Sequence, residues 1–114
     1  MSLERVLKTL EAFGLSQTES EVYLYLAKKG PKNGREVANA LRISKQQLYP
    51  SLKKLKNKGI ISASLDRPAL FSALAFEKVL ELFITIKVDQ AKTIKETKKE
   101  LLKSWRSMKW HQLT

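Results

Sequence analysis

The sequence predicts a mostly α fold of the α+β class: a helical domain bearing one β-hairpin, followed by one long helix. Three observations carry this expectation. Capping-box signatures recur at Ser16 with Glu19, Asn33 with Glu36 and Ser44 with Gln47, each ahead of an apolar stripe at helical spacing. Past Gly59 the pattern switches to two short apolar or alternating runs around Asp66-Arg67-Pro68. From Phe76, apolar residues return at alternating spacings of three and four.

Taken in order, Leu3, Val6, Leu7 and Leu10 mark a first helix that Gly14 can end. Ser16 opens the second, with Val22, Tyr23 and Leu26 as its apolar face and Gly30-Pro31 as its stop. Asn33 starts a short third helix through Val37, Ala38 and Leu41. Only Arg42 and Ile43 separate it from Ser44, the N-cap of a fourth helix with Leu48, Leu52 and Leu55 on one stripe. Two short helices joined this tightly form a helix-turn-helix. Ile60 to Leu65 and Ala69 to Leu74 then pair as a hairpin, because Pro68 holds Arg67 extended at the turn. This order is that of a winged helix-turn-helix domain over residues 1–75, with the wing at 62–72 and Arg67 at its tip.

Pro50 lies well inside the fourth helix, where it removes a donor and clashes with the Gln46 carbonyl. That costs ~3 kcal/mol in an ordinary helix interior. Stepping about 100° per residue places Pro50 almost opposite Leu48 and Leu52, so the orphaned carbonyl faces water or a ligand rather than the core. The expectation is a helix that kinks outward at Pro50; the competing arrangement is a helix broken at Tyr49.

Residues 76–114 read as a C-terminal helix with a near-heptad seam of Ile84, Ala91, Ile94, Leu101, Trp105 and Met108, interrupted by Lys87 and Lys98. So long a stripe cannot be buried against a small winged helix alone. Pairing with the same helix of a second copy, a homodimer, is the economical solution; folding back on its own domain is the competing one. Trp105 and Trp110 suit seam or cap packing rather than a ligand cage.

Lys and Arg number 22 against 11 Asp and Glu, a net of +11. Residues 28–67 hold eleven of those bases and only Glu36 and Asp66 as acids, a net of +9. A polyanionic partner is implied, nucleic acid or an anionic membrane surface. There is no cysteine, so disulfides and thiolate metal sites are excluded. His111 is the sole histidine, and no Gly-rich phosphate loop, paired-acid motif or metal spacing accompanies it. No enzyme activity, metal or cofactor is expected. The N-terminus lacks the apolar core of a signal peptide, and Leu82-Phe83-Ile84 is too short to span a bilayer, so a cytoplasmic, non-membrane protein is expected.

With the leucine stripe buried, Gln46, Pro50, Lys53, Lys54 and Asn57 point outward and Gln47 lies on the flank. Glutamine can pair bidentately with adenine in the major groove, and lysine serves guanine or phosphate. Gln46 and Gln47 sit in the first turn, which enters the groove in this motif. Gln47 is also the capping partner of Ser44, which competes with base reading. Lys45, Lys53 and Lys54 suit phosphates. Tyr49 flanks the core, either packed within it or reaching a phosphate with its hydroxyl. Arg67 suits the minor groove or backbone, or stands free at an exposed turn. Arg35 joins the candidate contacts. Lys32, with Lys28 and Lys29, forms a basic cluster that contacts phosphate or simply complements a helix end.

The run "GLSQTESEVYLYLAKKGPKNGREVANALRISKQQLYPSLKKLKNKGII", followed by the hairpin and a long charged helix, resembles the DNA-binding domain of the TrmB family. The likeness rests on Leu15, Ser16, Glu19 and Tyr23, and on Tyr49 followed by Leu52, Leu55 and Lys58-Gly59; it covers about residues 10–75. It implies a winged-helix transcription regulator of a kind common in archaea. At the position of Pro50 the family usually carries a non-proline residue, often acidic. Many members also carry a large C-terminal effector domain that binds sugars. A chain of 114 residues leaves no room for it, so no small-molecule effector is identified.

The favoured expectation is thus a homodimeric, sequence-specific double-stranded DNA-binding regulator, with helix 44–58 in the major groove. The alternatives are a winged-helix module for protein–protein contact and a non-specific nucleic-acid-binding protein.

Overall fold

The computed structural model describes residues 2–109, so Trp110 and His111 lie outside the described residues. Contacts divide these residues into two units, one up to Val79 and one from Leu80.

In the first unit the capping boxes set the helix starts. The Ser16 hydroxyl accepts from the Glu19 amide at 3.0 Å, and the Ser16 amide donates to Glu19 Oε1 at 2.7 Å, opening α2 (Gln17–Lys29) behind α1 (Ser2–Ala12). Asn33 and Glu36 exchange the same pair of bonds at 2.9 and 3.1 Å to open α3 (Gly34–Leu41). Ser44 and Gln47 do so, both at 3.2 Å, to open α4 (Lys45–Asn57). Gly30 ends α2 at φ 84°, a left-handed conformation that glycine adopts without a Cβ penalty. Arg42 ends α3 in the left-handed region at φ 56°, with its amide and that of Ile43 donating to the Ala38 carbonyl. A side chain there is strained by about 1–2 kcal/mol. No glycine marks this turn in the sequence.

The expected hairpin is present but shorter than 60–65 and 69–74. It consists of β2 (Ile61–Ala63) and β3 (Leu70–Ala73), paired Ile61 with Ala73 and Ala63 with Phe71. Ser64 ends the ladder: its amide donates to the Leu70 carbonyl and its hydroxyl accepts from the Leu70 amide, both at 2.9 Å. An unexpected strand, β1 (Lys32–Asn33), joins the other edge of β3 and makes an antiparallel sheet of order β1-β3-β2.

Leu10, Val22, Tyr23, Leu26, Val37, Leu48, Leu55 and Ile60 are fully or almost fully buried and form the centre of this unit. The Tyr23 hydroxyl donates to the Leu74 carbonyl at 2.7 Å, tying α2 to the segment that leaves the sheet. Burial raises the Tyr23 pKa above its ordinary value of 10.0. Because the folded value exceeds the unfolded one, this contribution is complete below about pH 10 and is lost as pH rises through the folded value. Tyr23→Phe is expected to cost about 1 kcal/mol at neutral pH. It is also expected to shallow the loss of stability above pH 10, as urea unfolding on both sides of that pH would show. A cleft of about 400 Å³ lies beside this bond, lined mainly by apolar groups including Leu24, Ala27, Leu74 and Phe76.

α4 is a single helix through Pro50, which is exposed, so the broken-helix arrangement does not occur. Its buried stripe is Leu48, Ser51, Leu52 and Leu55. The Ser51 hydroxyl donates to the Gln47 carbonyl at 3.2 Å, one turn back on the buried side.

α5 (Phe76–Ser107) runs on into the second unit, and from Ile84 every described residue is exposed. The seam residues Ile84, Ile94, Leu101 and Trp105 stand open on it, 54–69% exposed. Met108 lies one residue past the helix end, where its amide still donates to the Ser104 carbonyl at 3.0 Å. It is therefore placed at the frayed edge of the seam rather than on the helix.

Candidate nucleic-acid interface

Burying the leucine stripe of α4 turns Lys45, Gln46, Tyr49, Pro50, Lys53 and Lys54 outward, and all are exposed. The outward face carries lysine ammonium groups and the carboxamide of Gln46, and no acid lies within α4. Gln47 is exposed too, but its Oε1 accepts from the Ser44 amide. With the oxygen held there, Gln47 can still donate through Nε2 but cannot present both groups to one adenine. Gln46 has no such commitment to the capping box.

Tyr49 is neither core nor free. It is 49% exposed, and its ring lies over Gly34 at the start of α3. A Cβ on residue 34 would come within 2.9 Å of the Tyr49 hydroxyl oxygen. Gly34 is thus needed for close approach, a reason that reading the sequence alone did not find. The contact brings Tyr49 beside the first turn of α3, which also carries the exposed Arg35. Gly34→Ala is expected to swing the ring aside while changing stability by less than about 1 kcal/mol, because the obstacle is the tip of a side chain and alanine favours helix. The chemical shifts of the Tyr49 ring would report the displacement.

Lys32 stands in β1, half-buried, paired with Phe71 across the strands. Lys28 and Lys29 are exposed in the last turn of α2, before Gly30. Arg67 is exposed in the loop between β2 and β3. These cations come from α2, β1, α3, α4 and the β2–β3 loop of one compact unit.

Lys58 behaves differently from its neighbours. At the C-cap of α4, its ammonium lies 3.8 Å from Glu19 Oε2 and donates to the Gly14 carbonyl at 3.4 Å. The Glu19 side chain is 5% exposed and that oxygen accepts no hydrogen bond, so Lys58 supplies its compensating charge. The pair clamps the end of α4 to the start of α2. Lys58→Ala is expected to lower stability by about 1–2 kcal/mol, part of the usual penalty being screened at the half-exposed lysine. Lys56→Ala, on the exposed face, is expected to stay within about 0.5 kcal/mol in the same urea titration.

A helix-turn-helix whose second helix has a bare cationic face, flanked by a hairpin, defines a winged-helix DNA-binding domain. Comparison with known proteins agrees. Residues 10–77 match the family described as sugar-specific transcriptional regulator TrmB. The chain is 31% identical over 110 residues to TrmBL1 of Pyrococcus furiosus, an HTH-type sugar-sensing transcriptional regulator. That alignment covers 96% of this chain but only 31% of the relative, so the chain spans about a third of its length. Among solved structures, TrmBL2, an archaeal chromatin protein, superposes with a TM-score of 0.81 at 24% identity, over 92% of this chain and 41% of that one. The ST1889 protein of Sulfolobus tokodaii does so with a TM-score of 0.67 at 21% identity, over 82% of this chain and 98% of that one. The chain belongs to the TrmB family of winged-helix transcription regulators, a non-enzymatic family.

Proposed function

We propose that this protein regulates transcription as a homodimer that binds double-stranded DNA sequence-specifically. α4 enters the major groove and the 64–69 loop of the wing lies on the backbone or in the minor groove. The observation that carries this reading is the exposed face of α4, where Gln46 stands among Lys45, Lys53 and Lys54 with the leucine stripe turned inward. Gln46 reads a base edge, with Gln47 contributing a donor only. Lys45, Lys53, Lys54, Arg35 and Lys32 hold phosphates, Tyr49 adds its hydroxyl, and Arg67 contacts DNA from the wing. Pro50 leaves the centre of the face without a donor, so reading falls on its neighbours.

The second protomer is supported by α5. A helix exposed on all sides from Ile84 gains nothing from packing, and isolated helices are marginal in water. Covering Ile84, Ala91, Ile94, Leu101 and Trp105 with the same face of a second copy supplies that packing and pairs two reading heads for two half-sites. The winged helix up to residue 75 and the helix from 76 then divide the work into DNA reading and dimerisation. Among the described residues no helix is long and apolar enough to cross a membrane; the proposed site of action is the cytoplasm, where the DNA is.

Selection of bound duplexes from a randomised pool tests the proposal. The expected result is one palindromic family, bound at least ~10³-fold more tightly than random duplex at physiological salt. Equal affinity for all duplexes would instead assign a non-specific nucleic-acid-binding protein, and no affinity for any would assign a protein–protein module.

A further inference from the structure

Around the second unit of α5 the side chains sort into sectors by chemistry. Assigning Ile84, Ala91, Ile94, Leu101 and Trp105 to the seam leaves two flanks. One carries Lys92, Lys95, Lys99, Lys103 and Arg106 at steps of three or four residues, so that they stack in one line along the helix. The other carries Gln90, Thr93, Thr97, Ser104 and Ser107, with Glu100 as the charge in that line. Glu96 stands in the cationic line itself, between Lys92 and Lys99, and takes Lys92 into an exposed ion pair at 3.9 Å. From Lys92 to Lys109 there are seven bases and two acids, an excess concentrated on one side.

We propose that this cationic flank is a second DNA-contacting surface, one that binds the phosphate backbone of duplex DNA without reading sequence. The inference rests on the DNA-binding reading above. The flank lies beside the seam rather than in it, so it stays open when a second copy covers the apolar face. At 1.5 Å rise per residue, Lys92 to Arg106 form a line of ~21 Å. Duplex DNA carries a phosphate charge about every 1.7 Å of its axis with both strands counted, or about every 3.4 Å along one strand, so such a line spans roughly six phosphates of a strand. Long, flexible lysine stems can follow that spacing, which a rigid base-reading site could not. The partner is fixed by charge complementarity and by the winged helix on the same chain, whose residues 28–67 carry +9 and already imply a polyanion.

The test is Lys95→Gln, Lys99→Gln, Lys103→Gln and Arg106→Gln combined in the full chain. Glutamine keeps helix propensity and leaves the seam untouched, so helix content by circular dichroism and mass by sedimentation are expected to stay constant. Affinity is measured for a selected duplex and a random duplex of equal length across a salt series. The expected result is an equal loss, at least tenfold for both, with the slope of log K against log salt shallower by about 3.6 for each protomer bound, near 0.9 for each phosphate no longer neutralised. An unchanged slope overturns the proposal. So does an unchanged slope accompanied by lost binding to phosphatidylserine vesicles, which would assign the flank to an anionic membrane. If the unmodified protein binds no duplex at all, the DNA-binding reading fails and this inference with it; binding by the unmodified protein with an unaltered variant sinks this inference alone.

Discussion

Replacing Ile94 and Leu101 together with glutamate is expected to leave a folded monomer whose affinity for a two-half-site duplex is ~10²- to 10⁴-fold poorer. The size follows from losing the effective concentration that ties the second reading head to the first. The winged helix is not expected to suffer, because the two side chains are 60% and 54% exposed and contribute no core contact there. In a dimer the same positions place four carboxylates in an apolar seam, where unpaired charge is strongly disfavoured. Sedimentation would give the mass, and binding to single and paired half-sites would give the affinities. Single-site affinity is expected to stay almost constant. A variant that remains dimeric would remove the α5 seam as the dimer interface.

The second large effect separates reading from holding on α4. Gln46→Ala is expected to cost about 1–3 kcal/mol against the preferred base at one position of each half-site and to relax preference there. Its effect on random duplex is expected to be small. Lys54→Ala is expected to behave oppositely, weakening all duplexes alike and reducing the salt slope by about one unit per half-site. Binding isotherms on the selected site and its single-base variants would distinguish the two patterns. A change of preferred sequence in Lys54→Ala would reverse the assignment of that residue. Gln47 is expected to give the smaller specificity loss of the two glutamines, since its oxygen is held by the Ser44 amide. Its removal should also cost part of a helix cap, about 1 kcal/mol.

The parts of this fold that sequence reading found are those decided by local chemistry. Three capping boxes open three helices because the N-cap and N3 side chains are three residues apart and need no distant partner. The leucine stripe of α4 buries as its spacing predicts, and Pro50 is accommodated because it falls on the exposed side. What escaped was decided by distant partners. β1 is two polar residues with no alternation, and exists because the edge of β3 lies beside it. The wing strands are shorter than their apolar runs because the Ser64 hydroxyl takes a ladder amide. Arg42 adopts a left-handed turn that a glycine would have advertised.

The candidate site shows the same division. Outward-facing positions follow from periodicity, so Gln46, Lys53 and Lys54 were legible. Lys58 sits in the same basic run, yet the nearly buried carboxylate of Glu19 claims it, an ion pair between residues far apart in the chain. Gly34 and Tyr49 carry no mutual signal either, since only the packing of α3 on α4 brings the ring over the glycine. Of the family motif, Glu19, Tyr23 and Lys58 are seen to do structural work: a cap, a bond to the Leu74 carbonyl and a clamp. The family likeness is therefore in large part a likeness of scaffold, and the proposed reading of a DNA site rests with the exposed residues of α4.

Methylation interference on the selected duplex shows whether α4 enters the major groove, because methylating guanine N7 obstructs the major groove and methylating adenine N3 obstructs the minor. Interference is expected at N7 in two half-sites whose centres lie about 10–10.5 base pairs apart, or a multiple of that, on a complex of two protomers. Interference confined to N3, or an N7 pattern with a single half-site per protein, would contradict that expectation.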